Sequence, residues 1–316
     1  MGVRKVTKTK VSRRQKPKRA KDLLPSLQLL IYAIPMSIKG IRALAIDLDG
    51  TVLTPEAKLS ERTVKTLKLC VKRGLQIIIA TGRAIEASEP FRSALDLAGP
   101  MVYYNGAVVV DAPGNKILNT ILMDKKAAEF CVDLARDMEV YCQVYLSTGI
   151  CPGDNKNIPL LAWRDFPERD MYYKKTGILA ELVNMKEALA RPDLQGCVKT
   201  MFMAEPEILA NVRPKLEEHF GGTAYIAQTT RTFLEILDIK ASKGKGLEFV
   251  MQYCSLKKEE IIAFGDEEND IPLFKASGFS AAPINAKDSV KAAADIIIGS
   301  NADDGVAVFL EEFFGL

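Results

Sequence analysis

From Arg42 onward, short apolar runs alternate with amphipathic stretches. Arg42 to Asp47 reads as a buried strand ending in a carboxylate. Ser60 can N-cap a following helix whose apolar face holds Val64, Leu67 and Val71, with Lys72 and Arg73 in the last turn and Gly74 as the stop. LQIIIA, residues 75 to 80, reads as a strand covered on both faces. A helix is expected from about Ala84, then a strand in VYYNG and a hairpin around Ala112 to Asn115, where Pro-Gly-Asn marks a turn. Asp124 is placed to cap a helix running through Met138.

Residues 149 to 176 are rich in Pro, Gly, Asn and charge, and two further helix and strand alternations lie between Ile178 and Leu237. The simple rhythm returns at Lys243. Leu247, Val250, Met251 and Cys254 recur at helical spacing, EEIIAFGD reads as a strand and its exit, and ADIIIG as a last strand. Short strands joined by helices specify an α/β fold with a parallel sheet and crossover helices, split by an inserted α/β block over residues 123 to 233. A length of 316 residues agrees with two domains rather than one.

Composition changes this picture at one end only. A hydrophobic share of 48% and a charged share of 26% fit a soluble, globular chain. Ten of the 43 lysines and arginines fall in the first 21 positions with no acid among them, and the remainder holds 33 bases against 40 acids, a net of −7. A basic tail therefore precedes a mildly acidic body, and nucleic-acid or membrane binding would rest on that tail alone. LLPSLQLLIYAIP, residues 23 to 35, is short for a membrane span. Residues 1 to 35 read as an extension upstream of a start at Met36, with organelle targeting left open.

The six cysteines lack a CxxC pair and mostly sit in apolar runs, as in a reduced, cytoplasmic protein. The single histidine, His219, has no Cys or His near it in sequence, so histidine triads and zinc sites are not expected.

Four polar motifs carry candidate chemistry. DLDGT, Asp47 to Thr51, places two carboxylates at a strand's carboxyl end, where ligands collect in open α/β sheets, although Asp-Gly is also a common turn. ATGR, Ala80 to Arg83, offers the Thr81 hydroxyl and Gly82 N–H near a helix start, which suits a phosphate oxygen; Thr81 could equally be a plain N-cap. SKGKG, Ser242 to Gly246, puts Lys243 at a helix N-terminus, where a bound anion would rationalise it, with Lys245 as a rival. GDEEND, Gly265 to Asp270, crowds acids that would suit a hard cation such as Mg²⁺ or an ordinary acidic helix start.

Taken together, in this order and at these strand ends, the motifs resemble those of the haloacid dehalogenase-like phosphohydrolases, most closely the Cof-type branch. YNGA at Tyr104 to Ala107 and the ending from Asn285 to Leu310 add to the resemblance, which spans about residues 37 to 316. API before Asn285 departs from it, since many relatives have a glycine there.

The resemblance implies a Rossmann-like parallel-sheet core over 37–122 and 234–316 with an α/β cap at 123–233. It implies Asp47 as nucleophile and Asp49 as acid and base. Leu48, Thr81, Gly82, Lys243 and Asn269 would hold phosphate, and Mg²⁺ would sit at Asp47, the Asp49 carbonyl, Asp266 and Asp270, the last also a candidate to orient Lys243. The function implied is a Mg²⁺-dependent phosphatase acting on a sugar phosphate, nucleotide or phosphorylated cofactor through an aspartyl phosphate. A phosphomutase or phosphotransferase on the same scaffold, and a non-catalytic binding module, are the alternatives. No nucleic-acid or membrane partner is expected, and monomer and dimer are both left open. Trp163 and Arg164 in the inserted block read as a structural pair or as substrate contacts.

Overall fold

The structure, a computed structural model, describes residues 40–113, 116–147 and 158–316. The expectations for the basic tail, for Gly114 and Asn115 in the hairpin, and for Cys151 lie outside these residues.

The chain opens with β1 (Ala43–Ile46), whose four residues are all buried. Helix α1 (Glu61–Lys72) follows, with the Ser60 side chain accepting the Thr63 N–H as an N-cap. Its buried face differs from the expected one. Thr63, Thr66, Leu67 and Cys70 are buried, while Val64 is half-buried and Val71 exposed. The two threonines can go inside because the Thr63 hydroxyl donates to Asp304 and that of Thr66 to Glu311.

β2 (Gln76–Ile79), α2 (Ile85–Ala94) and β3 (Gly99–Tyr103) come next. VYYNG is strand only to Tyr103; Tyr104 to Gly106 form a tight turn with Tyr104 and Asn105 at positive φ. β3 then pairs with β4 (Val108–Ala112), and β4 with β5 (Lys116–Thr120), as a small antiparallel sheet.

The inserted block holds α3 (Lys125–Asp137), β6 (Tyr141–Ser147), β7 (Leu160–Ala162), α4 (Pro167–Thr176), β8 (Glu181–Leu182), α5 (Met185–Leu189), β9 (Gly196–Met203), α6 (Pro206–Phe220), β10 (Ala224–Thr230) and β11 (Phe233–Asp238). Its six strands form one sheet in the order β10-β11-β9-β6-β7-β8. Residue 233, where the sequence places the end of the block, is the first of β11, and the whole of β11 belongs to this sheet. Trp163 packs on the block's apolar core, with the Arg136 and Arg164 guanidiniums near its ring. His219 stacks on Phe130.

The chain then returns through α7 (Lys243–Cys254), β12 (Ile261–Phe264), α8 (Ile271–Ala276), β13 (Phe279–Pro283), α9 (Asp288–Ala293), β14 (Ile296–Ile298) and α10 (Gly305–Phe314). The main sheet has the order β14-β13-β12-β1-β2, every pair parallel. β1 and β12 lie side by side although more than two hundred positions separate them, with Ile46 opposite Phe264. Their carboxyl ends therefore deliver Asp47 and Asp266 to one place, the edge where ligands gather in such sheets. This is the Rossmann-like core with an α/β cap that the sequence predicts. Cys70, Cys131, Cys142 and Cys197 are buried free thiols, and Cys254 is a half-buried one. No helix among the described residues is long and apolar enough to cross a membrane.

Candidate active site

Asp47 leaves β1 in extended backbone conformation and its side chain is buried. The chain then turns sharply through Gly50, at φ 75°, and a Cβ there would overlap the Asp266 carboxylate. Glycine is thus needed twice at this position, for the left-handed turn and for the close approach. The Thr51 hydroxyl donates to Asp266 Oδ1 at 2.9 Å and lies 3.4 Å from Asp47 Oδ2.

Lys243 comes from the first turn of α7 and is 2% exposed. Its ammonium donates to Asp47 Oδ1 at 2.6 Å and to Asp270 Oδ1 at 2.7 Å. Asp270 uses its other oxygen to accept the N–H groups of Asp266 and Glu267, at 3.0 and 3.1 Å. Asp270 therefore orients Lys243 and fixes the loop after β12. Lys245, the rival lysine, is exposed and pairs with Glu248.

Asp47, Asp266 and Asp270 offer carboxylate oxygens within 4.8 Å of one another. Burial raises the Asp47 carboxyl well above the usual range, opposed by Lys243 and reinforced by Asp270, Asp266 and Asp49. Burial likewise pushes Asp266 up to about 7, with Asp270 adding to it and the Thr51 hydroxyl and Lys243 working against it. Burial would lower the Lys243 ammonium, but Asp270 and Asp47 outweigh it and hold the group well above its ordinary value. When all three are ionised, their carboxylates outnumber the one ammonium they face, and a cation would relieve the excess negative charge.

Asp49 stands apart from this triad. Its carboxylate is half-exposed and receives both Nε and Nη2 of Arg83, each at 2.6 Å. Arg83 is fixed in turn by donation to the Ala87 carbonyl and by packing over Phe91. Asp49, Thr81, Gly82, Lys243 and Asn269 line one cleft together with Asp47. The Thr81 hydroxyl accepts the Arg83 N–H, and the N-cap of α2 is Ala84, so Thr81 is not the helix cap. Leu48 is buried in the turn after β1 and is not among the residues that line the cleft. Asn285 donates to the Gly50 carbonyl, so the segment that departs from the family pattern still reaches the first motif.

Several lining residues carry no motif in the sequence: Tyr172, Lys175, Met201 and Phe233 on the cap, together with Lys199 and Glu235. Trp163 and Arg164 do not line the cleft. A usable signal did exist for two of them, because a lone charge inside an otherwise apolar strand, as in GCVKTMFM and FLEILD, demands a buried partner.

The profile of the haloacid dehalogenase-like hydrolases matches residues 44–310. The chain belongs to this hydrolase family, with a parallel-sheet core, a cap and a strand-end cluster of acids. It is similar to the pyridoxal phosphate phosphatase YbhA of Escherichia coli, with 29% identity over 85% of this chain and 97% of the relative. The 5-amino-6-(5-phospho-D-ribitylamino)uracil phosphatase YwtE of Bacillus subtilis is 26% identical over 86% of this chain and 98% of its own length. The crystal structure of a Thermotoga maritima protein superposes with a TM-score of 0.72 at 26% identity, covering 86% of this chain and 97% of that one.

Proposed function

We propose that this hydrolase is a Mg²⁺-dependent phosphatase of small phosphorylated metabolites, working through an aspartyl phosphate on Asp47. The observation that carries the reading is the pairing of two unlike carboxylates in one cleft: Asp47, buried and fixed by Lys243, and Asp49, half-exposed and held by Arg83. A nucleophile needs a fixed attack line, whereas a proton carrier needs reach to the leaving group and to water.

In the first step an Asp47 oxygen forms a bond to phosphorus as the ester P–O bond breaks, and Asp49 gives its proton to the departing oxygen. In the second, Asp49 takes a proton from water, the water oxygen bonds to phosphorus, and the bond from Asp47 to phosphorus breaks to release inorganic phosphate. Thr81, Gly82, Lys243, Asn269 and the Leu48 N–H would hold the non-bridging oxygens.

The donor set fits Mg²⁺, since all three clustered side chains offer hard oxygens and their charge exceeds that of the one ammonium among them. Asp47, Asp266, Asp270 and the Asp49 carbonyl would hold the ion. When bound, it would offset the repulsion between the attacking carboxylate and the phosphate dianion.

Among substrate classes we favour phosphorylated cofactors with a ring-bearing leaving group. Phe233, Tyr172 and Met201 line the cleft beside Lys175, and both named relatives act on phosphate esters of heteroaromatic compounds. In Mg²⁺ with p-nitrophenyl phosphate, Asp47→Asn should abolish turnover; unchanged hydrolysis would refute the nucleophile assignment. A phosphate-ester panel ranks the substrate classes, and better turnover of plain sugar phosphates than of ring-bearing esters would overturn our preference.

A further inference from the structure

Lys199 on β9 and Glu235 on β11 share the face of the cap sheet that is turned to the cleft, and Glu235 stands opposite Met201. Both are almost fully buried, with side chains 2% and 5% exposed, and they pair at 2.9 Å. A buried ion pair adds little net stability over apolar packing, so stability alone does not account for it.

Its remaining valences all lead into the core. Lys199 donates to the Gly82 carbonyl at 3.0 Å. Glu235 accepts from Asn105 Nδ2 at 2.6 Å, and Asn105 Oδ1 accepts from Asn269 Nδ2 at 2.9 Å. The Asn105 backbone N–H also donates to the Thr81 carbonyl. Asn105 thus ties together the loop after β2, the loop after β12 and the cap.

We propose that Lys199, Glu235 and Asn105 are positioning residues that make the geometry of the phosphate-holding loops depend on the cap being docked. The inference rests on the phosphatase reading, because its output is the placement of Gly82 and Asn269. With the cap away, Lys199 and Glu235 keep each other as partners but release Gly82 and Asn105. Asn105 then loses its acceptor, and the amide of Asn269 loses the fixed partner that orients it. Transfer of the phosphoryl group to Asp47 would be favoured only after closure, when bulk water is excluded.

The test uses the full chain in Mg²⁺, p-nitrophenyl phosphate as substrate and inorganic phosphate as inhibitor. Glu235→Gln and Asn105→Gly are each expected to lower kcat about tenfold or more and to weaken phosphate inhibition by a similar factor. Glycine is chosen at 105 because that residue sits at positive φ. The double variant should be no worse than the poorer single one, since both cut the same chain of hydrogen bonds. Unchanged phosphate inhibition in the single variants, with only the substrate KM raised, would make these residues leaving-group contacts and overturn the proposal. A loss in the double variant equal to the product of the two single losses would also overturn it. Glu235→Asp, which keeps the charge but shortens the reach to Asn105, gives the same readout should Asn105→Gly fail to fold. Asp47→Asn, run alongside, separates the two readings: normal turnover by that variant refutes the aspartyl-phosphate reading of this cleft, whereas its inactivity with intact phosphate inhibition in Glu235→Gln refutes only the coupling.

Discussion

Gly50 shows how little freedom the site leaves a single residue. It turns the chain after Asp47 and lets the Asp266 carboxylate lie against its Cα. Gly50→Ala should therefore strain the backbone by about 1 kcal/mol or more and displace Asp266. The expected outcome is loss of stabilisation by Mg²⁺ together with a fall in turnover of about a hundredfold; calorimetry with and without the ion checks the first, steady-state kinetics the second. At this scale the sequence was most informative where chemistry is local. Asp47, Asp49, Asp266 and Lys243 follow or open regular elements, so their placement follows from where a strand ends or a helix begins. Arg83 lay in a recognised motif, yet its partner Asp49 is contributed by another strand end. Lys199 and Glu235, on two strands of the cap sheet, meet Asn105 in the turn after β3 and Gly82 in the loop after β2, and nothing in the local sequence names their partners.

At the level of elements, α1 carries both a success and an error of the hydrophobic pattern. Its start at Ser60 was legible because capping chemistry is local, and the cap bond to the Thr63 N–H is 3.0 Å. Ser60→Ala should cost about 1 kcal/mol and lower Tm by about 2 °C, with turnover unchanged because the helix start lies outside the cleft. A drop in kcat would show that α1 has a part in the site. The buried face was misread because Thr63 and Thr66 count as polar in sequence. They go inside only because Asp304 and Glu311, near the far end of the chain, accept their hydroxyls. Strands were easier to place than their partners: ALAI and IIAF are plain apolar runs, but their adjacency follows from the crossover topology.

For the molecule as a whole, the acid cluster makes stability depend on pH and on the cation together. Burial and the neighbouring Asp270 push the Asp266 carboxyl up to about 7 in the folded protein, against an ordinary value of 3.8. Between those values the folded state keeps a proton that the unfolded chain has lost, so this group's contribution to stability falls as pH rises from about 4 to about 7. Mg²⁺ must displace that proton below about 7, so it should raise Tm more at about pH 8 than at about pH 6; an equal or larger rise at the lower pH would contradict the cluster as the binding site. The pairing of β1 with β12 bears on how the protein is made. A ribosome delivers β1 and β2 early, then the whole cap, and only afterwards the strand that completes the centre of the core sheet. The cap sheet can close on itself while the first two core strands still wait for a neighbour. Until β12 emerges, the nascent chain shows an apolar sheet edge to chaperones and carries Asp47 without Asp266 or Asp270. The full acid cluster is therefore assembled late in synthesis, after the cap strands that line the cleft have already emerged.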